Sequence, residues 1–104
     1  MDRSELLARI KSLLQEAFGT RLHSVILYGS EARGQATPDS DIDILVLLHG
    51  PVRNYSDSCK CIDALYPLAV ELGRLIDPEA VNVEEYCAQE WPLYREVRKE
   101  GIPA

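Results

Sequence analysis

An apolar run with two acids at its head constrains this chain more than any other stretch: Asp41-Ile42-Asp43-Ile44-Leu45-Val46-Leu47-Leu48. From Ile44 to Leu48 it is all Ile, Val and Leu, so it reads as a strand buried on both faces. Side chains alternate along a strand, which places Asp41 and Asp43 on one side and Ile42 and Ile44 on the other. Same-side neighbours lie about 6.5–7 Å apart, two rises of the strand. At that spacing two carboxylates can share one Mg²⁺, or flank two ions about 3.5–4 Å apart. Like charges beside a hydrophobic strand are costly uncompensated, so a cation, a basic side chain or water is expected with them.

Immediately upstream, Ser24-Val25-Ile26-Leu27-Tyr28 reads as a second short buried strand that ends abruptly at Gly29-Ser30. Glycine lets the backbone approach a ligand closely, and a serine hydroxyl with neighbouring N–H groups can bind phosphate oxygens. Taken singly, the glycine could merely turn the chain and the acids could merely begin a strand. Together they set a phosphate cradle opposite a metal site, the arrangement needed to handle a nucleoside triphosphate.

Gly29-Ser30, ten residues, then Asp41-x-Asp43 resembles the signature of the nucleotidyltransferase superfamily. The fuller string, Tyr28-Gly29-Ser30-x-Ala32-Arg33-Gly34 through Pro38-Asp39-Ser40-Asp41-Ile42-Asp43, resembles its minimal nucleotidyltransferase branch. The match is dense from Tyr28 to Asp43 and looser, in length and helix–strand order, over most of the chain. The resemblance implies an α/β (α+β) domain, a small mixed β-sheet with flanking helices. It also implies that Gly29 and Ser30 hold a triphosphate while Asp41 and Asp43 position Mg²⁺ or Mn²⁺, with ATP as nucleotide donor. Arg33 has two readings, a contact to phosphates or acids, or an ordinary solvated arginine.

Minimal nucleotidyltransferases of this type resemble antitoxins that pair with helical HEPN-class partners. The implied reaction is transfer of AMP from ATP to a tyrosine hydroxyl of the partner. The superfamily commonly carries a third carboxylate on a later strand. Ile76-Asp77-Pro78-Glu79 reads as a turn and Ala80-Val81-Asn82-Val83-Glu84 as that strand, which puts Asn82 in the third position, with Glu84 as substitute if the register slips. An amide cannot act as a general base at neutral pH. Asn82 therefore favours an alternative, a catalytically impaired binding module that neutralises its partner by occlusion.

At 104 residues the chain is expected to form one domain, 1–104, too small for a second substrate-binding lobe, so much of an acceptor site must come from another molecule. A net charge of -6 argues against a nucleic-acid footprint. No apolar stretch is long enough for a membrane span and the N-terminal Met1–Glu5 has no signal-peptide pattern, so a cytoplasmic location is expected. Cys59, Cys61 and Cys87 lack zinc-site spacing and read as reduced thiols. Self-association remains open.

The flanking elements read as helices. Asp2 with Glu5 forms a capping pattern, Ser4 being the other candidate cap, and Leu6, Leu7, Ile10, Leu13, Leu14, Ala17 and Phe18 share one face up to Gly19. A second helix begins near Ser56 or Asp57, its inward series Ile62, Leu65, Ala69, Leu72 and Ile76, kinked or split at Pro67, with Tyr55 and Tyr66 packing and only their hydroxyls at the surface. The last runs from about Glu90 to Glu100, with Pro92 in its first turn and Trp91 in the core; an exposed Trp91 would instead mark an interaction patch. Ile102-Pro103-Ala104 reads as an apolar tail.

Overall fold

The computed structural model describes residues 2–104; Met1, part of the N-terminal stretch read above, lies outside them. Four strands form one mixed sheet in the order β3-β2-β1-β4. β1 (Leu22–Tyr28) runs antiparallel to β2 (Ile42–Leu48), and β2 runs parallel to β3 (Ile76–Asn82). β4 (Ile102–Pro103) pairs antiparallel with β1, so the expected apolar tail is a sheet edge. Among the described residues no helix is long and apolar enough to cross a membrane.

α1 (Arg3–Phe18) begins at Asp2, whose carboxylate accepts the Glu5 N–H at 2.8 Å, a cap worth about 1 kcal/mol. It buries Leu6, Leu7, Ile10, Leu14 and Phe18 against β1 and α3 (Asn54–Leu72). α3 is the crossover between the parallel strands, as a parallel pair requires. It continues as one helix through Pro67 and is not split there. Burial of Cys61, Leu65 and Leu68 on both sides of the proline offsets a penalty of about 3 kcal/mol.

Of the series expected to face inward, Leu65 is buried and Leu72 and Ile76 pack against the core, Ile76 as the first residue of β3, but Cys61 takes the inward place expected of Ile62. Cys61 is fully buried whereas Ile62 is 52% exposed, and Tyr55 and Tyr66, expected to pack, are 85% and 65% exposed. Asp57, nearly buried, accepts both Arg21 guanidinium nitrogens at 3.0 Å and the Arg53 N–H at 2.8 Å. That carboxylate reaches back to the residue capping its own helix, which fixes where α3 starts.

On the opposite sheet face, α4 (Val83–Ala88) and α5 (Pro92–Glu100) bring Tyr86, Tyr94 and Val97 onto Leu45, Leu47 and Val81. β2 is thus covered on both faces, with all but Asp43 of its seven residues buried, as its composition predicts. Trp91 lies outside this core at 51% exposure, correcting its expected placement.

Candidate active site

β1 ends at Tyr28, directly opposite Asp43 of β2, and the chain turns at once into the single-turn helix α2 (Gly29–Ala32). The turn needs φ of +76° at Gly29, a left-handed conformation that disfavours any side chain. Gly29 is buried against the acid: a Cβ added there would lie 2.5 Å from Asp43 Oδ2. Gly29 is therefore required twice, by its backbone angle and by the carboxylate beside it. Asp41 is exposed one residue ahead of β2, close enough for its charge to raise the Asp43 carboxyl.

The parallel register adds a third acid that sequence reading missed. Asp43 pairs with Asp77, and Leu45 with Glu79, so Asp77 and Glu79 share the sheet face of Asp43. The stretch read as a turn is the first half of β3. Asn82, assigned to the third-carboxylate position, lies five residues further along, opposite Leu48. Its oxygen accepts the Glu85 N–H at 2.9 Å to cap α4 and its amide donates to the Gly50 carbonyl at 2.7 Å, so its role is structural. Glu84, the proposed substitute, is exposed on α4 rather than on the strand.

Electrostatics follow from this clustering. Burial raises the Asp43 carboxyl above its ordinary range, the charges of Asp77 and Asp41 raise it further, and Arg33 pulls it partly back. Burial also pushes the Tyr28 hydroxyl up to about 12, with Asp43, Asp77 and Glu79 adding to the shift. Arg33 is exposed and tethered, its Nη1 2.9 Å from Glu100 and 3.7 Å from Glu96, its Nε donating to Gln35 at 3.1 Å. It is thus both a counter-charge to Asp43 and a surface ion-pair member. Ser30 is half-buried in the first turn of α2.

Arg74 was not singled out by sequence and ties the two halves of the motif together. Its Nη1 meets Glu31 of α2 at 3.0 Å and its Nε donates to the Ser40 carbonyl, next to Asp41, at 3.1 Å. Its Nη2 is buried without a partner. The Gly-Ser turn and the Asp-x-Asp segment are held together by one guanidinium.

The donor set suits Mg²⁺. Among the described residues no three His, Cys, Asp or Glu side chains form a ready metal cage. Mg²⁺ commonly uses only one or two carboxylates, completing its shell with water and substrate phosphates. Asp43 and Asp77, opposed in register and mutually repelling, with Asp41 nearby, would fit such a partial shell.

The nucleotidyltransferase domain model matches residues 7–102. A relative from Methanocaldococcus jannaschii named "Putative protein adenylyltransferase MJ0604" is 30% identical over 97% of this chain and 96% of its own. The chain belongs to the nucleotidyltransferase domain family. Among solved structures, one described as "Structure of putative minimal nucleotidyltransferase" superposes with a TM-score of 0.63 at 28% identity, covering 100% of this chain and 97% of that one. A complex of tri-AMPylated Shewanella oneidensis HEPN toxin with MNT antitoxin matches with a TM-score of 0.62 at 22% identity, over 98% of this chain and 71% of the matched chain. In this nucleotidyltransferase the strand register sets a further acid, Asp77, opposite Asp43, whereas Asn82 lies outside that pair.

Proposed function

We propose that this chain is a metal-dependent adenylyltransferase that moves AMP from ATP to a tyrosine hydroxyl of a HEPN-type partner, as the antitoxin of a toxin–antitoxin pair. The observation that carries the reading is the packing of Gly29 against Asp43 with Asp77 in register on the next strand. The relative's name and the AMPylated HEPN toxin in the matched complex support the donor and the partner.

In this reading Gly29 and Ser30 seat the β- and γ-phosphates through backbone N–H groups and the serine hydroxyl. Asp43 and Asp77, with Asp41 nearby, would hold Mg²⁺ or Mn²⁺, which would supply neutralisation of charge on the phosphate oxygens. The acceptor oxygen forms a bond to the α-phosphorus as the bond to pyrophosphate breaks, and pyrophosphate leaves with the electron pair. The hydroxyl proton passes to the Asp77 carboxylate and from there to solvent. Positioning supplies most of the rate, because phosphoryl-type transfer needs little covalent help from protein.

The test is to purify the chain with its genomic neighbour, add α-labelled ATP and Mg²⁺, and follow label. Label on the partner that disappears in Asp43→Asn and Asp77→Asn is the expected result. Label that persists in both variants would refute the site.

A further inference from the structure

We propose that the groove along the free edge of β3 receives the acceptor segment and selects one that carries cationic residues beside its tyrosine. This rests on the reading above, since it takes the Gly29-Ser30 turn as the triphosphate's seat. In-line displacement requires the entering oxygen to approach opposite the departing pyrophosphate. In the sheet order, Gly29 follows β1, Asp43 stands on β2 and Asp77 on β3, beyond which no further strand pairs among the described residues. Pyrophosphate leaving over the β1 side assigns the β3 side to the acceptor.

The surface on that side has the shape and chemistry for such a segment. Glu79 follows Asp77 on the same face, about 6.5 Å further along the strand. It borders a concavity of about 440 Å³ lined also by Asn54, Asn82, Glu85, Trp91 and Tyr94. Trp91 stacks on Tyr94 at 5.3 Å and 26°, and Tyr94 meets Tyr86 edge-on at 5.2 Å. The inner rings are buried, so the half-exposed Trp91 is a braced platform with a free face.

Charge complementarity selects the occupant. Glu79 and Glu85 line the concavity, Asp77 lies two residues before Glu79 on the same strand face, and among the described residues no Lys or Arg lines it. Carboxylates without a cation repel the phosphates of a second nucleotide. They attract guanidinium and ammonium groups, for which an indole face is also the best aromatic partner. A basic segment laid from Trp91 toward Asp77 brings its tyrosine to the acids.

Trp91 is the only tryptophan of the chain, so its emission reports on this groove without turnover. Two synthetic peptides of equal length serve as probes, one with a tyrosine flanked by lysine and arginine, the other flanked by glutamate. With the full chain at low salt and no ATP, the basic peptide should shift Trp91 emission and bind about tenfold more tightly than the acidic one. The Glu79→Gln, Glu85→Gln double variant, altered only at exposed positions, should narrow that preference to about twofold and leave the Kd for ATP unchanged. Equal binding of the two peptides would overturn the proposal. So would an emission shift with ATP alone that the double variant abolishes, because the groove would then be a nucleoside site. If α-labelled ATP gives no transfer while the basic peptide still binds at Trp91, the adenylyltransferase reading falls and the groove stands.

Discussion

Replacing Gly29 with alanine separates the two demands that the turn makes. The first is conformational: a side chain at φ of +76° costs about 1–2 kcal/mol. The second is steric, since the new Cβ would stand 2.5 Å from Asp43 Oδ2, roughly 1 Å short of ordinary contact, with Cγ and Cβ of the same residue at 3.4 and 3.5 Å. Either the turn backs away or the carboxylate swings by about that distance, and a misplacement of about 1 Å can cost on the order of 10²-fold in rate. Urea unfolding and AMP-transfer kcat/KM should therefore show a loss of about 2–3 kcal/mol and a hundredfold fall. In an Asp43→Ala background the oxygen is gone, and the stability cost of Gly29→Ala should shrink to its backbone part, about 1–2 kcal/mol. A Gly29→Ala protein with full transfer activity, or one whose stability cost is the same in both backgrounds, would refute the idea that this glycine exists to admit Asp43.

Four further outcomes follow from the same geometry. Because the Asp43 carboxyl is raised, the metal-free protein loses stability as pH climbs from the ordinary carboxylate value through the raised one; Asp43→Asn should raise the metal-free Tm at neutral pH and abolish the Tm increase that Mg²⁺ produces. Asp57 shows the opposite sign, held low first by the Arg21 hydrogen bonds, so its contribution is present above the ordinary carboxylate value and lost as pH falls through the depressed one; Arg21→Ala should cost about 2 kcal/mol at pH 7 by denaturant titration, allowing for the partial exposure of Arg21. Arg74→Leu removes the clamp between Glu31 and Ser40 and should cost about 2 kcal/mol, with transfer falling further than stability predicts and Arg74→Lys failing to restore it, as measured by paired melting and kcat/KM. Asp77→Asn should reduce transfer about a hundredfold or more, whereas Asn82→Asp should leave Mg²⁺ affinity unmoved by calorimetry and cost only about 1 kcal/mol through its lost bond to Gly50.

What was legible in the sequence is what is local. The β1–turn–β2 unit follows from a polar turn between two apolar runs, and α1 from a cap and a 3.6-residue stripe. Asp77 was hidden because its role depends on the register of two strands whose paired acids are 34 residues apart, which no local pattern encodes. Pro78 reinforced the error by suggesting a turn; a proline is tolerated here because β3 is an edge strand. A signal for α4 is present in Asn82-Val83-Glu84-Glu85, whose capping spacing ends β3 at Asn82 and leaves Asp77 and Glu79 as the acids of that strand. On α3 the inward choice of Cys61 over Ile62 is hard to read because Cys61 counts weakly as an apolar residue, although it packs at the centre of the core.

The balance of charge at the site explains why the proposed chemistry is tied to a divalent ion. Asp41, Asp43 and Asp77 gather at one end of the sheet, and the two arginines attached to the same motif are already engaged by acids of their own, Arg33 by Glu96 and Glu100, Arg74 by Glu31. Their charge is partly offset by those acids, so ATP arriving alone would meet a net negative field at its most negative end. ATP arriving with its cation meets the reverse, because the carboxylates that repel one another and the phosphates would all be drawn to the same ion. Burial of Asp43 strengthens both effects, raising the cost of the empty site and the gain on filling it. Metal and nucleotide affinity should therefore be strongly coupled, with Mg²⁺ tightening ATP and ATP tightening Mg²⁺ by the same factor. Asp43→Asn should reduce that factor toward one while leaving measurable binding of ATP alone, an outcome calorimetric titration in both orders can read.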